Sequence, residues 1–113
     1  MTIPEIVTEA INHYARVHGT ETIMTRAQLY ELVNETHPVN YSSFMPYDYC
    51  YNRTNDGIRF ADHPHVFEYV GKNQYRLLGT DYPYTGDIVH KPAGAGGKEY
   101  VVGRMEQGCI NVL

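Results

Sequence analysis

The chain has no tryptophan, two cysteines in 113 residues, and no apolar run near the roughly 20 residues that a membrane span needs. Cys50 and Cys109 stand far apart and form no CxxC pair, which excludes a redox motif or a zinc knuckle of ordinary spacing and leaves two free thiols. The N-terminus, MTIPEIVTEA, lacks a basic region followed by an apolar block. It does not read as a secretory signal, so a cytoplasmic location without membrane association is expected. Positive charge is also scarce: nine Lys and Arg stand against thirteen Asp and Glu, a net charge of -4. Affinity for nucleic acid comes mainly from cations at phosphates, so the sign weighs against a polyanionic partner. There is no GxSxG, HExxH or phosphate-binding loop; Gly94 to Lys98 (GAGGK) lacks the Ser or Thr that should follow its lysine and reads as a linker. Without a catalytic constellation, neither an enzymatic activity nor a cofactor is expected.

What the chain has in abundance is tyrosine, eleven in all. Tyr41, Phe44, Tyr47, Tyr49 and Tyr51 fall within eleven residues, and the stretch MPYDYCYNR (Met45 to Arg53) closes on an amide and a guanidinium. As a strand it would place Tyr47, Tyr49 and Tyr51 on one face. As a helix it would begin at Pro46, which suits a first turn, and stop before Asn55-Asp56-Gly57. The helix, about Pro46 to Arg53, is the favoured reading, with Tyr47 and Tyr51 together at i and i+4 and Cys50 toward the core.

Two earlier helices are better specified. Thr2 and Glu5 form a capping box ahead of Ile3, Ile6, Val7, Ala10, Ile11 and Tyr14, and Gly19 ends the pattern. Thr25 and Gln28 form a second box, with Met24 and Leu29 at the positions of a hydrophobic staple and Pro38 beyond the end. Downstream, HVFEYVGKNQYRLLG reads as a β-hairpin turning at Gly71-Lys72-Asn73-Gln74. After Gly79 the character changes: Pro92 to Gly97 (PAGAGG) is a flexible connection, and Tyr100-Val101-Val102 and Cys109 to Leu113 are short strands. Length allows one compact core with an appendage. The expected fold is α+β: a winged helix of three helices plus a hairpin wing over residues 1–79, and a C-terminal β-rich extension over 80–113 that docks back or forms a homodimer edge.

Met24-Thr25-Arg26-Ala27-Gln28-Leu29 and Phe67-Glu68-Tyr69-Val70-Gly71-Lys72-Asn73-Gln74-Tyr75-Arg76-Leu77 carry a resemblance. Over residues 3–79 the chain resembles helix-turn-helix domains of the HARE type, whose second helix opens M-T-x-x-x-L/I and whose wing reads F-x-x-V-G-x-x-x-Y-x-L. The middle segment, Pro46 and Asp48-Tyr49-Cys50-Tyr51-Asn52, also resembles uncharacterised bacterial proteins with a P-x-D-Y-C-Y-N motif. The first resemblance implies DNA binding without catalysis in a bacterial or phage regulatory or genome-defence setting.

On that reading Tyr47, Asn52 and Arg53 contact base edges or a stacked base, Arg59, Lys72 and Arg76 hold phosphates, and Asn73 with Gln74 forms the wing contact. The competing reading makes the same tyrosines a protein-contact surface, because aromatic enrichment marks both kinds of interface. Asp62 with His63-Pro64-His65 has metal-ligand residue types, but a structural site needs about four ligands and no metal is expected.

Overall fold

The computed structural model describes residues 1–55, 60–90 and 98–112. Helix α1 spans Ile3–His18. Its capping box forms as expected: Thr2 Oγ1 accepts from the Glu5 N–H at 3.3 Å, and Glu5 Oε1 accepts from the Thr2 N–H at 3.0 Å. Ile6, Val7, Ala10 and Ile11 form its buried stripe. A two-residue strand, β1 (Ile23–Met24), leads into α2 (Arg26–Thr36), where Thr25 and Gln28 close the second box. The hairpin of β3 (Phe67–Gly71) and β4 (Gln74–Leu77) follows after the middle segment, and β1 adds to the far side of β4 to give the sheet order β1-β4-β3. This sheet and both helices share a core that includes Val7, Ile11, Leu29, Val33, Phe67 and Leu77.

The three-helix winged helix is not what forms. Among the described residues there are two α-helices and seven strands in two sheets, a sheet-rich α+β fold. The expected third helix at Pro46 to Arg53 is a four-residue 3-10 turn, Pro46–Tyr49, followed by extended chain and the short β2, Arg53–Thr54. The reason lies in the backbone partners on either side. The Tyr51 N–H donates to Phe67 O at 2.8 Å, the Val66 N–H donates to Tyr49 O at 2.8 Å, and Cys50 forms a parallel bridge with Phe67. One residue later the Val89 N–H donates to Asn52 O at 3.1 Å, and Arg53–Thr54 pairs in parallel with Val89 and His90. A helix would satisfy these groups internally and leave both sheets short of a neighbour. Tyr49 and Cys50 face the first core while Tyr51 belongs to a second one. Tyr49 to Asn52 is therefore buried at four successive positions and shows neither a helical stripe nor a strand's alternation.

What was expected to be an extension is a second sheet: β5 (Gly86–His90), β6 (Tyr100–Glu106) and β7 (Cys109–Val112), in the order β2-β5-β6-β7. Its core is Tyr51, Leu78, Ile88 and Met105. The link between the two sheets is short and tied down: the Leu78 and Gly79 N–H groups both donate to Val66 O, and Asn12 of α1 accepts from the Thr80 N–H at 2.8 Å. Gly79 (φ 84°) sits where an added Cβ would come within 2.8 Å of Asn12 Oδ1, so glycine is required by both conformation and space. No helix among the described residues is long and apolar enough to cross a membrane.

Candidate functional site

The residues predicted to touch DNA occupy quite different environments. Asn52 is 6% exposed, and its carboxamide acts as a piece of sheet: Nδ2 donates to Tyr69 O and Oδ1 accepts from the Tyr69 N–H, each at 2.9 Å. Both edges of the amide are spent on one backbone unit. Arg53 lies half-buried with its guanidinium carbon 5.1 Å from the centre of the Tyr69 ring, and its Nη1 donates to Asn52 O at 2.8 Å. Arg76 is paired with Glu68 at 2.6 Å, and the Tyr84 hydroxyl donates to the other Glu68 oxygen at 3.2 Å. Burial, with the Glu68 carboxylate beside it, pushes the Tyr84 hydroxyl up to about 12. Asn73, left-handed at φ 55° on the hairpin turn, accepts from the Arg26 N–H at the first turn of α2. Lys72 and Gln74 stand exposed beside it, and Arg59 lies outside the described residues, as does the Pro92 to Gly97 connection. The structure thus clusters Tyr47, Asn52 and Arg53 around Tyr69, and Lys72, Asn73 and Gln74 at the hairpin tip.

The tyrosines divide by depth. Tyr49 and Tyr51 are each 4% exposed, and burial holds the Tyr49 hydroxyl up at about 12. Tyr47 is half-buried, edge-on to Tyr69 with ring centres 5.6 Å apart. Tyr41 is 46% exposed and Met45 42%. Behind them Arg26 works as a fork. Its Nη2 donates to Tyr41 O at 3.2 Å and to Phe44 O at 3.0 Å, while its guanidinium carbon lies 4.4 Å from the Tyr41 ring centre. Tyr30 meets the same ring edge-on at 4.9 Å and donates its hydroxyl to Val39 O. Sequence reading passed over Arg26 as an ordinary helix residue, and its sequence offers no signal, because its partners are carbonyls that only the following turn brings near.

Cys50 is wholly buried and its thiol donates to Pro46 O at 3.5 Å. Burial pushes that thiol well above its ordinary range, so it is no nucleophile. No group of three or more His, Cys, Asp or Glu among the described residues is placed to hold a metal ion.

Where the two sheets meet, a cleft of about 430 Å³ opens between the His63–His65 loop, the Asp81–Pro83 loop and the β6–β7 turn. The Tyr51 ring forms its inner wall, fixed by its hydroxyl, which donates to Gly79 O at 2.7 Å and accepts from the Tyr82 N–H at 3.1 Å. His65 stacks on Phe60 with ring centres 4.1 Å apart, and its Nε2 lies 2.9 Å from Phe60 O. A carbonyl only accepts, so Nε2 carries the hydrogen. Burial lowers this imidazole to about 4.

No solved structure matches the chain. The Bacillus subtilis (strain 168) protein YnaC, described as uncharacterized, is 33% identical over 108 residues; the match covers 96% of this chain and 38% of the relative's length. A family model described as a domain of unknown function, DUF7225, matches residues 2–112, a span that takes in both sheets and the segment stitching them together, and the chain belongs to that family.

Proposed function

We propose that the chain is a protein-interaction module whose contact surface includes the exposed Tyr41 and Met45 and the half-buried Tyr47. The observation that carries this reading is the fork of Arg26: its guanidinium lies over the exposed Tyr41 ring, and its Nη2 donates to the Tyr41 and Phe44 carbonyls and lies 3.8 Å from the Met45 sulfur. Rings held in place before binding lose little freedom on contact, and Tyr, Met and Arg are the types enriched at protein interfaces. The same accounting disfavours a phosphate-binding role. Arg53 and Arg76 are engaged inside the protein, and the net charge is -4. Among the described residues predicted to hold phosphates, Lys72 at the hairpin tip is the exposed one.

Two measurements separate these readings. A photo-crosslinking residue at Tyr41 in the intact protein is expected to capture a defined partner, while the same residue at Glu9, on the exposed face of α1, does not. Fluorescence anisotropy with duplex and single-stranded DNA at low salt is expected to show no binding. Salt-sensitive binding that is lost in Lys72→Ala would overturn the protein-contact reading.

A further inference from the structure

The cleft between the sheets has a composition that selects for charge. Among its described lining residues Asp81 is the one acidic side chain, there is no lysine or arginine, and His63 and His65 are the imidazoles. A cation would find Asp81 on one lip and the half-exposed Tyr82 ring on the wall, with the buried Tyr51 ring behind it at 6.4 Å between centres. Cations are attracted to such faces within about 6 Å. The floor is apolar, supplied by Met105 and Ile110, which suits the methyl or methylene groups around an ammonium nitrogen.

The lips are also held in place before any ligand arrives. Asp81 (φ 61°) and Gln107 (φ 51°) are two of the three described non-glycine residues with left-handed backbone, and both line the cleft. Such a conformation costs roughly 1 kcal/mol and persists only when neighbours enforce it. Here the neighbours are visible. Thr80 is tethered to Asn12, the Tyr82 N–H is held by the Tyr51 hydroxyl, and the Gln107 N–H donates to Thr85 Oγ1 at 3.0 Å. We propose that this cleft binds a small alkylammonium group, with the Asp81 carboxylate as its counter-ion and the ring of Tyr82 as its wall.

The test is an NMR titration of the intact protein with choline chloride and, in parallel, with 3,3-dimethylbutan-1-ol, the uncharged analogue of the same shape. Choline is expected to shift the amide signals of Asp81, Tyr82 and Gln107, and the alcohol to bind at least about tenfold more weakly. Asp81→Asn keeps a residue type that tolerates the left-handed backbone. It is expected to weaken choline binding roughly tenfold with an unchanged unfolding midpoint, and Tyr82→Leu several-fold. Equal binding of choline and the alcohol would overturn the proposal, as would no choline response up to roughly 50 mM. So would an Asp81→Asn protein that folds normally and binds choline as well as the parent. The comparison of choline with its analogue in the unmodified protein stands whether or not a variant folds.

Discussion

Asn52 and His65 show how much a single side chain contributes at the seam between the two sheets. The Asn52 amide supplies both a donor and an acceptor to Tyr69, so Asn52→Ala strands two backbone groups in a buried place. A loss of about 2 kcal/mol is expected, read as a lower urea midpoint with an unchanged slope. His65 makes stability depend on pH. Its folded value near 4 lies below the ordinary 6.5, so between those values the unfolded chain binds more protons. Stability from this group is complete above about pH 6.5 and is lost as pH falls toward 4, by up to about 3 kcal/mol. Urea midpoints at about pH 7.5 and about pH 4.5 should differ in the parent and converge in His65→Gln. The cysteines give a simpler check. Cys109 is exposed and Cys50 buried, so a thiol reagent should label Cys109 in the native protein and Cys50 only after unfolding.

At the scale of elements, the local signals and the contacts that override them can be told apart. Both capping boxes were legible because each closes within four residues, and the β3–β4 hairpin was legible because its turn and its flanking apolar residues are adjacent. Thr25→Ala should cost about 1 kcal/mol by opening the box of α2. Asn73 ties the hairpin tip to that same helix, which no local pattern announces. Asn73→Gly keeps the left-handed turn but removes the acceptor for the Arg26 N–H, and should cost about 1 kcal/mol in a thermal or urea unfolding experiment. Asn73→Ala should cost more, because it adds backbone strain to the same loss. Pro46 to Arg53 was misread as a helix for a related reason. Its tyrosines at period two and its proline suit two conformations about equally, and the partners that decide between them, Phe67, Tyr69 and Val89, lie 17 or more residues away in most of these contacts.

Over the whole molecule, the second sheet packs against the segment that carries Tyr51 and Leu78. Tyr51 and Leu78 are buried against Ile88 and Met105, and β2 has its only described strand partner in β5. A chain cut after Gly79 would expose those two side chains and unpair Arg53–Thr54. The full chain is expected to unfold in one transition that is the same by circular dichroism and by tyrosine fluorescence. Residues 1–79 alone should unfold at a lower urea concentration and bind an apolar dye.

The order of amino acids by itself determined where α1 and α2 begin, which of their faces are buried, where the hairpin turns, and the net charge of -4. Each of these depends on residues within a turn or two of one another, or on a sum over the chain. Only the tertiary structure decided that Tyr49 to Asn52 stitches two sheets, that Arg53 and Arg76 face inward partners, that Arg26 presents Tyr41 and Met45, and that Asp81 and Tyr82 meet Tyr51 across a cleft. Those outcomes are settled by backbone hydrogen-bond partners and burial contributed from distant parts of the chain, and no short stretch carries that information.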